Sequence, residues 1–195
     1  MTSGFTQHLE RHIELAQDVH QTLASVVTQS AQALIKALEN GHKVLLCGNG
    51  GSAADAQHLA AELTGRYEAP SRRALPAIAL TTDTSALTAI GNDLGYERVF
   101  ARQVEAYGQA GDVLIGISTS GQSPNVIAAV RQAHQQGLQT IGLLGRDGGT
   151  LATLVNLAIL VPSDDTPHIQ EMHIMIGHIV CAMIDDAFRS DTEVK

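Results

Sequence analysis

The chain has 195 residues, enough for one globular domain with a sizeable core, and 44% of them are hydrophobic against 16% charged. That balance excludes a disordered chain, and no apolar run approaches the roughly 20 residues that a membrane helix needs. A formal net charge of −8, no tryptophan and only 3% aromatic residues argue against a nucleic-acid surface or a base-stacking platform.

The first five residues, Met1-Thr2-Ser3-Gly4-Phe5, carry no basic stretch leading into an apolar core, so no signal peptide is expected. From Phe5 to Leu38 apolar residues recur at helical spacing (Phe5, Leu9, Ile13, Ala16, Val19, Leu23, Val26, Leu34, Leu38), with no proline or glycine before Asn40-Gly41. This predicts a long helical region that could break once, near Thr22. It is too long for one small sheet to cover, so part of its stripe is expected against another subunit. Strands and helices then alternate. The predicted strands are Lys43–Cys47, Ala77–Leu80, Val113–Ile117, Gln139–Leu144 and Leu157–Val161. The predicted helices between them are Ala53–Thr64, Ser85–Asn92, Val99–Tyr107, Asn125–Gln136 and a short piece near Thr150–Leu154. Such an order builds an α/β fold with a five-stranded parallel sheet flanked by helices. Ile169 to Phe188 is apolar almost all round, which predicts a helix buried in the core or at an interface. There is no repeat or linker, so residues 1–195 read as a single domain, 1–40 a helical oligomerisation region and 41–195 the αβα core with its last helix. Cys47 and Cys181 lie in apolar runs far apart and read as buried thiols of a reducing compartment.

Ligands of a parallel sheet gather at the carboxyl ends of its strands. Three loops lie there. Ile117-Ser118-Thr119-Ser120-Gly121-Gln122-Ser123-Pro124 joins a strand to a helix start, with Ser123 placed as N-cap and Pro124 in the first turn. Small hydroxyls beside the unpaired N–H groups and positive end of a helix can hold a phosphate without lysine or arginine, as an acidic chain would require. The alternative is an ordinary capped turn. Gly48-Asn49-Gly50-Gly51-Ser52 allows close backbone approach and offers an amide, but it lacks dinucleotide and P-loop spacing, and a plain tight turn accounts for it equally. Thr81-Thr82-Asp83-Thr84 is most simply a helix cap.

His58 and Glu62 stand four residues apart on one helix face, where an imidazole and a carboxylate can reach one metal ion or one substrate atom. Taken singly, such a pair is also a common surface or core contact. The last helix carries Gln170, Glu171, His173 and His178, polar groups that need partners in so apolar a setting. Gln170 and His178 are separated by about 12 Å of ideal helix axis, so one ion touches both only if the side chains lean together or come from different subunits. His8, His42 and His134 read as solvated, and His168 as either solvated or buried. Asn92-Asp93, after a short helix and flanked by Gly91 and Gly95, reads as a shaped loop with two hydrogen-bonding side chains.

These stretches together resemble the phosphoheptose isomerases, a branch of the sugar isomerase (SIS) domain family. The likeness is carried by Cys47 through Ser52, His58 through Tyr67, Gly91-Asn92-Asp93, Ile117 through Gly121 with Ser123, and Ile169-Gln170-Glu171 with His178. It implies reversible conversion of D-sedoheptulose 7-phosphate to D-glycero-D-manno-heptose 7-phosphate, the first step toward nucleotide-activated heptose, by a cytoplasmic homotetramer with active sites between subunits. It also implies one zinc ion per subunit held by His58, Glu62, Gln170 and His178. The implied sugar-phosphate contacts are Asn49, Gly50, Gly51, Glu62, Asn92, Asp93, Ser118, Thr119, Ser120, Ser123 and Gln170. A ketose–aldose interconversion moves a proton between adjacent carbons through an enediol; Glu62 is a sensible base and His178 a sensible acid. Neither nucleic acid nor membrane is an expected partner. The same resemblance carries rivals: a non-catalytic SIS tetramer that binds the bacterial replication initiator, and an SIS-type lyase or regulatory sugar-phosphate binder. The presence of both Glu62 and His178 favours the enzyme.

Overall fold

Short apolar runs become the strands of one sheet, the central ones buried on both faces and the edge strands less so, because each needs its neighbours' backbone groups. In a computed structural model that describes residues 4–189, the strands are β1 (Val44–Gly48), β2 (Ala77–Ala79), β3 (Val113–Ser118), β4 (Gln139–Gly145) and β5 (Leu157–Val161). Residues 1–3 and 190–195 lie outside the described residues, and with them the ends of the expected 1–195 unit and most of the stretch read for a leader. All neighbouring strands pair in parallel, in the order β2-β1-β3-β4-β5. The chain therefore reverses its direction of winding between β1 and β3, and Gly48 pairs in register with Ile117 at that point. In an open parallel sheet this reversal leaves a crevice at the carboxyl ends of the two strands, the place where ligands bind.

Alternation along β1 sorts its side chains into two layers. Val44 and Leu46 face a core shared with α1 (Gly4–Glu39), α2 (Gly51–Thr64) and α7 (Thr166–Phe188). Leu45 and Cys47 face a second core with α3 (Thr84–Leu94), α4 (Ala101–Tyr107), α5 (Pro124–Gln135) and α6 (Gly149–Leu154). Both cysteines are free and buried, and burial pushes the pKa of each thiol up to about 12.

The N-terminal region is one unbroken helix of 36 residues, about 54 Å at ideal rise. It does not break at Thr22, whose hydroxyl donates to the Asp18 carbonyl 2.7 Å away and so competes with no backbone bond from outside the helix. Its buried side starts only at Leu15 and continues through Val19, Leu23, Val27, Leu34 and Leu38. Asn92-Asp93 is not a loop: α3 runs through it to Leu94, and the helix ends at Gly95, whose φ of 91° no helical residue shares. A 3-10 turn, Tyr96–Arg98, precedes α4, so that helix starts later than expected. Along α7 the burial is one-sided, with Ile169, Met172, Ile176, Val180 and Ile184 inside and Ile179 exposed.

Candidate functional site

The glycine loop turns directly into α2. Gly50 holds φ at 58°, open to glycine without strain, and a side chain at Gly51 would run into the amide of Gln170. The helix therefore begins inside the loop, at Gly51, and the loop closes on itself, the Ser52 N–H donating to the Asn49 carbonyl and the Ala53 N–H to the Gly50 carbonyl, both at 3.0 Å. Asn49 is locked in place: its amide and that of Asn125 bond each other reciprocally at 2.8 Å, and the Tyr96 hydroxyl reaches Asn49 Oδ1 at 3.3 Å. These bonds tie the end of β1 to the first turn of α5.

The serine loop closes the other side of the crevice. Ser123 occupies the N-cap position of α5 with Pro124 after it, as expected, but its hydroxyl caps no backbone N–H. It bonds the buried Ser118 hydroxyl at 2.9 Å instead, while the Val126 N–H is capped by the Asn125 side-chain oxygen at 3.0 Å and the Ile127 N–H by the Ser123 carbonyl at 3.0 Å. Gly121 has a φ of 64°, and any side chain there would collide with the Gly148 carbonyl. Thr119 and Ser120 are half-buried beside it. Small hydroxyls thus gather at the positive end of a helix, an arrangement that suits an anion.

Along α2 the spacing of four brings His58 Nε2 to 3.4 Å from Glu62 Oε1. From α7, His178 Nε2 comes to 2.8 Å from the same His58 nitrogen. Two imidazoles and a carboxylate thus converge from two helices, and Tyr67 stacks on His178 with ring centroids 5.4 Å apart. Gln170, two turns before His178 on α7, donates its amide to Asp55 at 3.2 Å, beside Gly51 and one turn before His58 on α2. Asn92 and Asp93 are exposed at the end of α3, and Asn92 donates to Asp93 at 2.7 Å. Asp83 caps α3 by accepting from Ala86, as its sequence position predicts.

Sequence reasoning passed over Asp55, Asn125, Tyr67 and Tyr96. Asp55 had a signal, because it precedes His58 by three residues and so shares its helix face. It is buried, and burial raises its carboxyl above the ordinary range against the lowering effect of the Gln170 amide. Asn125, Tyr67 and Tyr96 had none, since each meets its partner across the fold. Two histidines read as solvated have partners: His134 bonds Thr140 and His8 bonds Glu171.

The SIS domain family is matched by residues 7–145. The chain is 58% identical over 186 residues to the phosphoheptose isomerase of a Nitratiruptor species, covering 93% of this chain and 99% of that one. The structure of phosphoheptose isomerase from Neisseria gonorrhoeae superposes with a TM-score of 0.88 at 48% identity, over 93% of this chain and 97% of that one. That of a phosphoheptose isomerase from Francisella tularensis superposes with a TM-score of 0.91 at 41% identity, over 95% and 100%. Likeness of this extent, spanning both candidate loops and the paired helices, leaves one conclusion: the chain belongs to the SIS domain family and, within it, to the phosphoheptose isomerases.

Proposed function

We infer that this protein is a phosphosugar isomerase that interconverts D-sedoheptulose 7-phosphate and D-glycero-D-manno-heptose 7-phosphate in heptose biosynthesis. The relatives named phosphoheptose isomerase support the reaction. The observation that carries it is the meeting of His58, Glu62 and His178 between α2, which starts at the β1–β3 crevice, and α7. No observation favours the initiator-binding scaffold.

The chemistry divides between the two ends of the substrate. The hydroxyls of the serine loop, at the positive end of α5, hold the phosphate, so binding energy at the remote end fixes the position of the reacting carbons. Asn49 and the glycine loop face the sugar hydroxyls, with Gln170, Asn92 and Asp93 as further contacts. Glu62 removes a proton from C1 of the ketose while a proton is given to the oxygen on C2, and the C1=C2 enediol forms. Return of the proton to C2 and loss of the proton from the oxygen on C1 complete the aldose. His178 serves the oxygens, held by its stack on Tyr67 and its contact with His58.

The donor set of His58 Nε2, His178 Nε2 and Glu62 Oε1 suits zinc, which takes imidazole nitrogen and carboxylate oxygen. We assign the ion to these three residues, with the side-chain oxygen of Gln170, whose nitrogen donates to Asp55, as fourth ligand. When bound, zinc polarises a carbonyl oxygen. We further place the chain as one SIS domain in a cytoplasmic homotetramer. Support comes from its free buried cysteines, the absence among the described residues of a helix long and apolar enough to cross a membrane, and the apolar groove between α1 and α7.

The test is isomerase turnover on sedoheptulose 7-phosphate together with exchange of the substrate's carbon-bound hydrogen into deuterated water. Glu62→Gln keeps shape and removes the base, and is expected to lower both by about 100-fold or more. Exchange at the wild-type rate in that variant would remove Glu62 from the role of base.

A further inference from the structure

The first three turns of α1 bury nothing apolar: Phe5, Leu9 and Ile13 are exposed, and burial along the helix begins at Leu15. A polar cluster beside that stripe joins this stretch to the start of α7. His8 and His12 lie four residues apart on one face. His8 Nε2 is 2.7 Å from Glu171 Oε1, and His12 Nδ1 is 2.8 Å from Glu171 Oε2. The buried His168 ring stacks on His8 with centroids 4.1 Å apart. Its Nδ1 lies 3.0 Å from Asp165 Oδ2, and its Nε2 lies 3.3 Å from the His8 carbonyl oxygen. One ligating atom from each of His8, His168 and Glu171 falls within 4.8 Å of the other two.

We propose that His8, His168 and Glu171 bind a divalent transition-metal ion of the zinc class, a clasp between the start of α1 and α7 that is separate from the active site. Two imidazoles and a carboxylate from two helices form a donor set that zinc takes, and this set disfavours magnesium or calcium, which require oxygen ligands. Asp165 supplies a feature that ordinary pairing does not need. A carboxylate on one ring nitrogen of a histidine orients the ring and fixes its tautomer, leaving the other nitrogen as the ligand. The Nε2 contact to the His8 carbonyl is long for a hydrogen bond, so giving it up costs little. His12 stands on the second oxygen of Glu171 and holds the carboxylate in place. Singly, each contact is an ordinary hydrogen bond. Convergence of three rings on one carboxylate, under a helix end with no apolar anchor of its own, is what an ion would organise.

The experiment uses the full chain without a histidine tag, stripped with chelator and dialysed against micromolar Zn2+, with zinc per chain measured by atomic emission. His8→Ala places a strong helix former at a half-exposed position, so the helix persists; circular dichroism verifies it. His8→Ala is expected to hold one zinc per chain fewer than the wild type. Asp165→Asn is expected to weaken zinc binding about 10- to 100-fold, the usual effect of losing an outer carboxylate. If His8→Ala binds as much zinc as the wild type with the same affinity, the clasp is overturned. Should His8→Ala lose helix, His168→Gln is judged by the same two outcomes. His58→Ala runs in parallel: unchanged zinc there counts against the active-site ion alone, and the clasp is still decided by His8→Ala.

Discussion

His173 lies wholly inside the protein, between the sheet and α7. Its Nε2 donates to the Leu144 carbonyl at 2.9 Å, and its Nδ1 has no partner among the described residues, as befits a bare lone pair on a neutral ring. Burial pushes its pKa down to about 4, against the small opposing effect of the carbonyl bond. The unfolded chain therefore takes up a proton near its ordinary value of about 6.5 that the native chain refuses. The folded pKa is the depressed one, so stability is full above pH 6.5 and falls as the pH drops toward 4. The loss from this group is on the order of 3 kcal/mol across that window. Urea melts between pH 7 and pH 4.5 check it. His173→Gln keeps a donor for Leu144 and is expected to show a flatter pH dependence than the wild type; an equal slope would assign the loss to other groups. At this scale the sequence was informative about residue type and poor about partners. It marked Glu62, His58 and His178 as chemical groups, yet it read His8 as solvated and could not see that Ser123 turns to Ser118.

The two helices that carry the candidate catalytic groups are fastened to each other by one buried ion pair. Asp185, near the end of α7, accepts from the Glu68 and Ala69 N–H groups at 2.7 and 2.9 Å and from the Arg72 guanidinium. Arg72 also donates to the carbonyls of Glu62, Leu63 and Arg73. Burial works against the ionised Asp185 carboxyl, but these bonds outweigh it and hold it below the ordinary range. The pair thus fixes the segment that leaves α2, which bears His58 and Glu62, against α7, which bears His178. Asp185→Asn leaves a buried guanidinium without its counter-charge, at a cost of about 3–5 kcal/mol. The expected fall in Tm is on the order of 10 °C for a chain of this size. Calorimetry checks it, and Asp185→Leu with Arg72→Met together is expected to lose less than Asp185→Asn alone. Element type was legible throughout, because periods of 2 and 3.6 mark faces directly. Boundaries failed where glycine misled, as at Asn92-Asp93, which is helical despite its flanking glycines, and Gly51, which starts a helix rather than preceding one.

Across the whole molecule, α1 extends well past the sheet and leaves apolar groups uncovered. Ala16, Val19, Leu23 and Val27 of α1 line a groove with Met175, Ile179 and Met183 of α7, and Phe5, Ile13 and Ile179 are exposed near it. A closed assembly of four chains, two dimers related by symmetry, is the natural way to cover such faces. Light scattering at micromolar concentration is expected to give a tetramer, and Ile179→Glu to give smaller species with the same circular dichroism spectrum. A stable wild-type monomer would contradict the tetramer.

The order of strands and helices, the parallel sheet and the three loops at its carboxyl edge were all contained in the sequence by itself, since periodicity, glycines and caps are local properties of the chain. Residue chemistry and family likeness likewise marked the serine loop, the His58–Glu62 pair and His178. Only the tertiary structure decided that β1 and β3 lie side by side, that His178 meets His58 while Gln170 turns to Asp55, and that His8 and His168 come together around Glu171. The reason is physical. Each of these meetings joins residues far apart in the chain, and their separation is set by how helices pack over the sheet, which no local pattern of side chains encodes.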